Sequence, residues 1–147
     1  MIHDIGKIGV PDDVLLKKGK LADDERDTMR EHPVIASYIL ADLELPPIVK
    51  QMARSHHERF DGTGYPDGIA GEEIPLGARI IHVADALDSM LTTRIYRAAR
   101  PADEALEELR RGSRTQFCPR CVSALERLLH TEERSEPASP AKLIATA

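Results

Sequence analysis

The chain has 147 residues, with 20 Lys and Arg against 25 Asp and Glu, a formal net charge of −5. That length suits one domain, and 41% apolar with 31% charged residues is an ordinary globular balance. The acidity excludes a general nucleic-acid binder; no apolar run approaches the roughly 20 residues of a membrane span, and Met-Ile-His-Asp does not begin a secretion signal.

In chain order, the first amphipathic helix is expected after Pro33, where Ile35, Ala36, Ile39 and Leu43 recur at helical spacing. Pro33 suits a first helical position, with His32 at the cap and close to the buried side. A second helix is expected from about 47 to 57, where Val49, Met52, Ala53 and His56 share one face and His57 lies at its edge. Residues 61–68, Asp-Gly-Thr-Gly-Tyr-Pro-Asp-Gly, are dense in turn formers. A third helix is expected over about 76–95 with Ile80, Ala84, Leu87 and Leu91 as its stripe, and Asp85 and Asp88 sharing a side beside Ile81. A fourth carries Ala105, Leu106 and Leu109 and stops at Gly112; a fifth starts at Pro119 and buries Val122, Leu125, Leu128 and Leu129. From 132 on, Ser and Pro residues predict a disordered tail. Nothing alternates with a period of two for long, so the expected class is all-α.

Polar groups on buried helical faces must be paired, hydrogen-bonded or bound to metal. They accumulate here: His3 with Asp4, His32, the His56-His57 pair, and Asp85. Mixed imidazole and carboxylate donors suit Fe, Mn, Zn or Ni, and the absence of thiolate from the set argues against a structural zinc finger. Two ions held by such a set could clamp a phosphate for in-line attack. Spacing alone leaves each histidine open to a plain core or surface role.

His3-Asp4-Ile5-Gly6-Lys7-Ile8 resembles the signature of HD-domain metal phosphohydrolases, and His56-His57-Glu58-Arg59-Phe60-Asp61-Gly62-Thr63-Gly64-Tyr65-Pro66 resembles the hallmark of their HD-GYP subfamily. His32-Pro33 between them, and Val83-Ala84-Asp85-Ala86-Leu87-Asp88 after them, follow in the subfamily's order. The resemblance implies an all-α HD-domain helical bundle over 1–131, incomplete at its N-terminus because the family has further helices before the HD pair, with 132–147 as tail. It implies a metal-dependent phosphodiesterase that hydrolyses cyclic di-GMP to pGpG or GMP in the cytoplasm, using two or three divalent ions, Fe or Mn. The implied metal ligands are His3, Asp4, His32, His56, His57 and Asp85, with Asp4 bridging. Lys7, Arg94 and, more weakly, Arg97 would contact substrate phosphate, and Tyr65 would shape the pocket edge or a partner surface.

The alternative carried by the same residues is an impaired, non-catalytic module that docks diguanylate cyclase (GGDEF) domains through the Gly-Tyr-Pro loop. A third is an HD hydrolase acting on another nucleotide. Uncovered apolar faces raise homodimerisation as a further expectation. Ala36 stands where the family usually has glycine, and Cys118 where it usually has aspartate. Cys118 and Cys121 form a CxxC spacing without a second pair, and are read as structural thiols. His82 is read as core or helix surface and His130 as solvated.

Overall fold

The structure, a computed structural model, describes residues 2–93 and 99–135. Its elements run as a 3-10 helix, Ile2–Gly9, then α1 (Asp12–Leu15), α2 (Asp23–Arg30), α3 (His32–Ala41) and α4 (Pro47–Ser55). A 3-10 turn at Gly71–Glu73 leads to α5 (Leu76–Leu91), α6 (Ala102–Arg111) and α7 (Pro119–Ser135). No strand occurs among the described residues, so the chain is all-α there. None of these helices is long and apolar enough to cross a membrane.

Proline sets most helix starts. Pro11, Pro46, Pro75 and Pro101 precede α1, α4, α5 and α6 with φ near −55° and ψ near 140°. The ring fixes φ, and the missing N–H is one that a helix start leaves unbonded anyway. Gly112 ends α6 as expected, but with a right-handed φ of −78°. Its glycine serves close approach instead: a Cβ there would lie 2.7 Å from the Phe117 ring.

The core divides in two. Val83 and Met90 of α5, Ala105 and Leu109 of α6, and Phe117, Cys118, Cys121 and Val122 around the start of α7 form one cluster. Ala36 and Leu40 of α3 pack with Ala53 of α4 in the other, with Leu45 beside them. The 3-10 helix lies against α3 and α4. Gly6 makes that possible, because a Cβ there would overlap the carbonyl oxygen of His32 and lie 2.6 Å from the amide nitrogen of Ala36.

Several expected faces are corrected. In α5 the buried residues are Ala78, Arg79, Val83 and Met90, while Ile80 is 52% and Leu91 40% exposed. Leu43 lies beyond α3 and is exposed, Ile39 faces outward, and Leu128 of α7 is 63% exposed. α7 remains helical to Ser135, four residues into the stretch read as tail. α1 and α2 carry too little apolar periodicity to announce themselves, and the three-residue spacing of Ile2, Ile5 and Ile8 in the 3-10 helix is too short a run to be read as one. α2 has no buried residue; it is held by Glu25, which accepts the Ala22 amide at 2.7 Å and pairs with Lys17.

Candidate metal centre

Three elements deliver their polar side chains to one point. The 3-10 helix brings His3 and Asp4, the first turn of α3 brings His32, and the C-terminal end of α4 brings His56 and His57. One donor atom from each of Asp4, His32, His56 and His57 lies within 4.8 Å of the others.

Backbone carbonyls fix the imidazoles. Nδ1 of His32 donates to the carbonyl of Met29 at 2.8 Å, and Nδ1 of His56 donates to that of Ala53 at 2.8 Å. A neutral imidazole has one N–H, so each Nε2 keeps a lone pair. These two Nε2 atoms face each other at 3.3 Å, with Asp4 Oδ1 at 3.5 Å from one and 3.7 Å from the other. Three acceptors thus converge with no hydrogen between them. Such an arrangement repels itself unless a cation sits among the lone pairs, and nitrogen with carboxylate oxygen is a donor set that divalent transition metals accept. The residues fit a metal.

The titration of the site favours the same state. Burial is the largest influence on His3 and His32 and lowers both. His57 is pushed down to about 2 by burial and by the imidazoles of His56, His32 and His82. Neutral imidazoles are the metal-binding form. For Asp4 burial favours the neutral acid, but the hydrogen bond and charge of Lys7 oppose it, and the group is held below the usual carboxylate range.

The two oxygens of Asp4 face different partners. Oδ1 looks toward His32 and His56, whereas Oδ2 lies 3.5 Å from His3 Nε2 and accepts from Lys7 Nζ at 2.6 Å. His3 is buried, 4.8 Å ring to ring from His56, and its Nδ1 has no hydrogen-bond partner. Asp85 is half-buried on α5, outside the group of four, and its charge acts on His3, Tyr65 and His82. Arg94 and Arg97 lie outside the described residues.

The loop after the histidine pair is tightly built. Tyr65 stacks on His57 at 4.9 Å with 21° between the rings, and the Arg30 guanidinium lies over the Tyr65 ring at 5.3 Å from its centroid. Burial pushes the Tyr65 hydroxyl up to about 12. Asp61 caps its own turn, accepting from the Thr63 amide at 3.0 Å and its hydroxyl at 2.6 Å, and pairs with Arg59 at 2.8 Å. Gly64 is required because a Cβ would overlap the backbone of Glu58 and Arg59.

Two supporting residues escaped the sequence reading. Glu58 is 2% exposed, and its Oε1 accepts the amides of Asp67 at 2.7 Å and Gly68 at 3.1 Å. It therefore ties the far end of the loop to the residue beside His57. The signal was its place directly after the histidine pair and before a turn-rich run. His82, read as core or surface, donates from Nδ1 to the His56 carbonyl at 2.9 Å and packs against Phe117.

A family model described as HD domain matches residues 1–120. The chain is 48% identical over 128 residues to the cyclic di-GMP phosphodiesterase response regulator RpfG of Xanthomonas campestris pv. campestris, covering 86% of this chain and 34% of that protein. It is 43% identical over 130 residues to a cyclic di-GMP phosphodiesterase of Vibrio cholerae, covering 84% and 26%. A 3'3'-cGAMP-specific phosphodiesterase of the same organism is 42% identical over 130 residues, covering 88% and 28%. The fold is similar to that of a crystal structure of a cyclic GMP-AMP specific phosphodiesterase of Vibrio cholerae, with a TM-score of 0.63 at 22% identity over 88% of this chain and 36% of that one. The chain thus spans about a quarter to a third of the length of these curated relatives. The matched segment contains the 3-10 helix, α3 and α4 that assemble the candidate centre, and the chain belongs to the HD-domain family.

Proposed function

We propose that this chain is the hydrolytic module of a metal-dependent cyclic di-GMP phosphodiesterase. The observation that carries the reading is the convergence of Asp4, His32, His56 and His57 donors within 4.8 Å, with the imidazoles oriented by main-chain carbonyls. The relatives' names supply the substrate class: a cyclic dinucleotide, which offers two phosphodiester groups and two purines.

In this reading His32, His56, His57 and Asp4 would hold the first of two or three Fe or Mn ions. His3, which faces the other Asp4 oxygen, and Asp85 would complete the ligand set, with Asp4 shared between ions. Bound ions would polarise the phosphodiester and activate water. The protein's own groups do the rest. Lys7, partly exposed and already on the outer Asp4 oxygen, keeps that carboxylate ionised and offers an N–H to a non-bridging phosphate oxygen. Arg94 and Arg97 are assigned to the second phosphate. The Tyr65 ring, held by contacts with His57 and Arg30, would form the wall against which the nucleotide lies. The product is pGpG, or GMP after a second cleavage, and a cytoplasmic site of action goes with such a messenger. GGDEF-type cyclase domains and a second copy of the chain are the partners assigned to the 61–68 loop and the exposed Ile5, Ile8 and Tyr38.

Metal-loaded protein assayed against cyclic di-GMP, 3'3'-cGAMP and a linear dinucleotide tests the proposal. Preferential hydrolysis of cyclic di-GMP, lost in His56→Ala, supports it. Turnover of 3'3'-cGAMP alone would move the chain to the other named specificity, and cleavage of neither cyclic substrate would end the reading.

A further inference from the structure

The CxxC pair, read from the sequence as structural, sits in a setting the candidate metal centre does not use. Cys118 precedes Pro119 at the start of the 17-residue α7, and its carbonyl accepts the amides of Cys121 and Val122, both at 3.1 Å. One helical turn separates the two residues, which places their Cα atoms about 5 Å apart by helix geometry, inside the range a disulfide spans. Both cysteines are buried, and neither is in a disulfide.

The second observation is Arg79. It is only 7% exposed, yet its Nη1 lies 3.6 Å from Cys118 Sγ and its Nε has no hydrogen-bond partner. A single exposed carboxylate, Glu72 at 2.8 Å, answers this buried cation from the other side. A guanidinium directed at a sulfur on a helix N-terminus is an environment for a thiolate. Backbone N–H groups of Arg120 and Cys121 act in the same direction and lower the Cys118 thiol despite its burial, while burial and Cys118 push Cys121 up to about 11. Cys121 also lines an open groove of about 850 Å³ between α5 and α7, which brings a small molecule to the Cys121 side of the pair, one helical turn from Cys118.

We propose that Cys118 and Cys121 are a reversible dithiol–disulfide site, oxidised by small hydroperoxides, with the Arg79 guanidinium as the cation beside the reacting Cys118 sulfur. The Cys118 thiolate attacks one peroxide oxygen, forming an S–O bond as the O–O bond breaks, and the departing oxygen takes a proton to leave as water or an alcohol. Cys121, losing its proton, then attacks Cys118 Sγ; the S–S bond forms and the S–O bond breaks, releasing water. Two electrons pass from the thiol pair to the peroxide, and a dithiol reductant reverses the change by exchange. Burial selects by size, so hydrogen peroxide enters where a bulky disulfide does not.

The test uses the reduced full chain, one equivalent of hydrogen peroxide, alkylation and intact mass. The expected result is loss of two hydrogens with both thiols protected, reversed by dithiothreitol. Cys121→Ser should stop at a Cys118 sulfenic acid trapped by dimedone, and Cys118→Ser should react at least about tenfold more slowly. Arg79→Gln should slow wild-type oxidation about tenfold at an unchanged circular dichroism spectrum. If that variant does not fold, the two cysteine variants decide alone. Equal rates for Cys118→Ser and Cys121→Ser, intermolecular disulfides only, or thiols still reduced where free cysteine is consumed would each overturn the proposal.

Discussion

Replacing Gly6 with alanine should uncouple the candidate centre without removing any ligand side chain. The new Cβ would lie 2.6 Å from the Ala36 amide nitrogen and 2.9 Å from the His32 carbonyl carbon, where ordinary contact begins near 3.4 Å. Both neighbours are backbone of α3 and cannot rotate away, and the His32 carbonyl oxygen lies nearer still, so the 3-10 helix must retreat by about 1.5 Å to restore ordinary contact. Asp4 rides on that helix, so its 3.5 Å separation from His32 Nε2 should grow to about 5 Å. Overpacking of this kind costs about 1–3 kcal/mol, or roughly 3–9 °C in melting temperature for a chain of this size. Metal affinity should fall about 10–100-fold, as it does when the groups that position ligands are disturbed. Calorimetric titration with Mn2+ and a thermal melt of the metal-free protein measure the two effects separately. An alanine variant that binds metal with wild-type affinity would refute the claim that this contact sets the Asp4–His32 distance.

Other consequences follow from the same geometry. Glu58→Ala strips the buried acceptor from the Asp67 and Gly68 amides and should cost about 1–3 kcal/mol, whereas Glu58→Gln keeps an oxygen and should lose less; paired thermal melts compare them. His57, held near 2 in the fold, has an ordinary value of 6.5 once unfolded, so the unfolded chain takes up the proton first as pH falls. Its contribution is present above pH 6.5 and lost below, which should weaken the metal-free protein by about 2 kcal/mol between pH 7.5 and 5, with His3 and His32 acting in the same direction. Denaturant titrations across that range check the sign; a protein more stable at pH 5 would contradict it. Adding Mn2+ at a hundred times its dissociation constant should stabilise by about 2.7 kcal/mol, roughly 5–10 °C, and a chelator should remove the gain; His56→Ala should show little of it.

Much of this was legible in the residues because two different signals agreed. In α4 the apolar spacing of Val49, Met52 and Ala53 placed His56 on the inner face, and the structure buries it there. In α6, Ala105 and Leu109 marked the inner face and Gly112 the end, and the structure keeps both. Where composition was uniformly apolar the face could not be chosen: Ile80, Ile81, Val83, Ala84, Leu87 and Met90 admit more than one stripe, and packing against α6 and α7 selected the one containing Val83 and Met90. α2 went unread for the opposite reason, since its stability comes from capping and charge and not from a buried face. The histidine and aspartate types were visible from spacing, but their convergence was not, because it depends on Gly6 letting two backbones touch. The supporting contacts of Glu58 and His82 are long-range hydrogen bonds, to Asp67, Gly68 and the His56 carbonyl, and no local pattern announces them.

The central claim is that Asp4, His32, His56 and His57 share one cation. Anomalous diffraction at the manganese edge, from crystals grown with Mn2+, measures this directly. The account predicts a peak bonded at once to the Nε2 atoms of His32 and His56 and to an Asp4 oxygen. Density at saturating metal with no peak among those atoms, or with the only peak elsewhere on the chain, would contradict it.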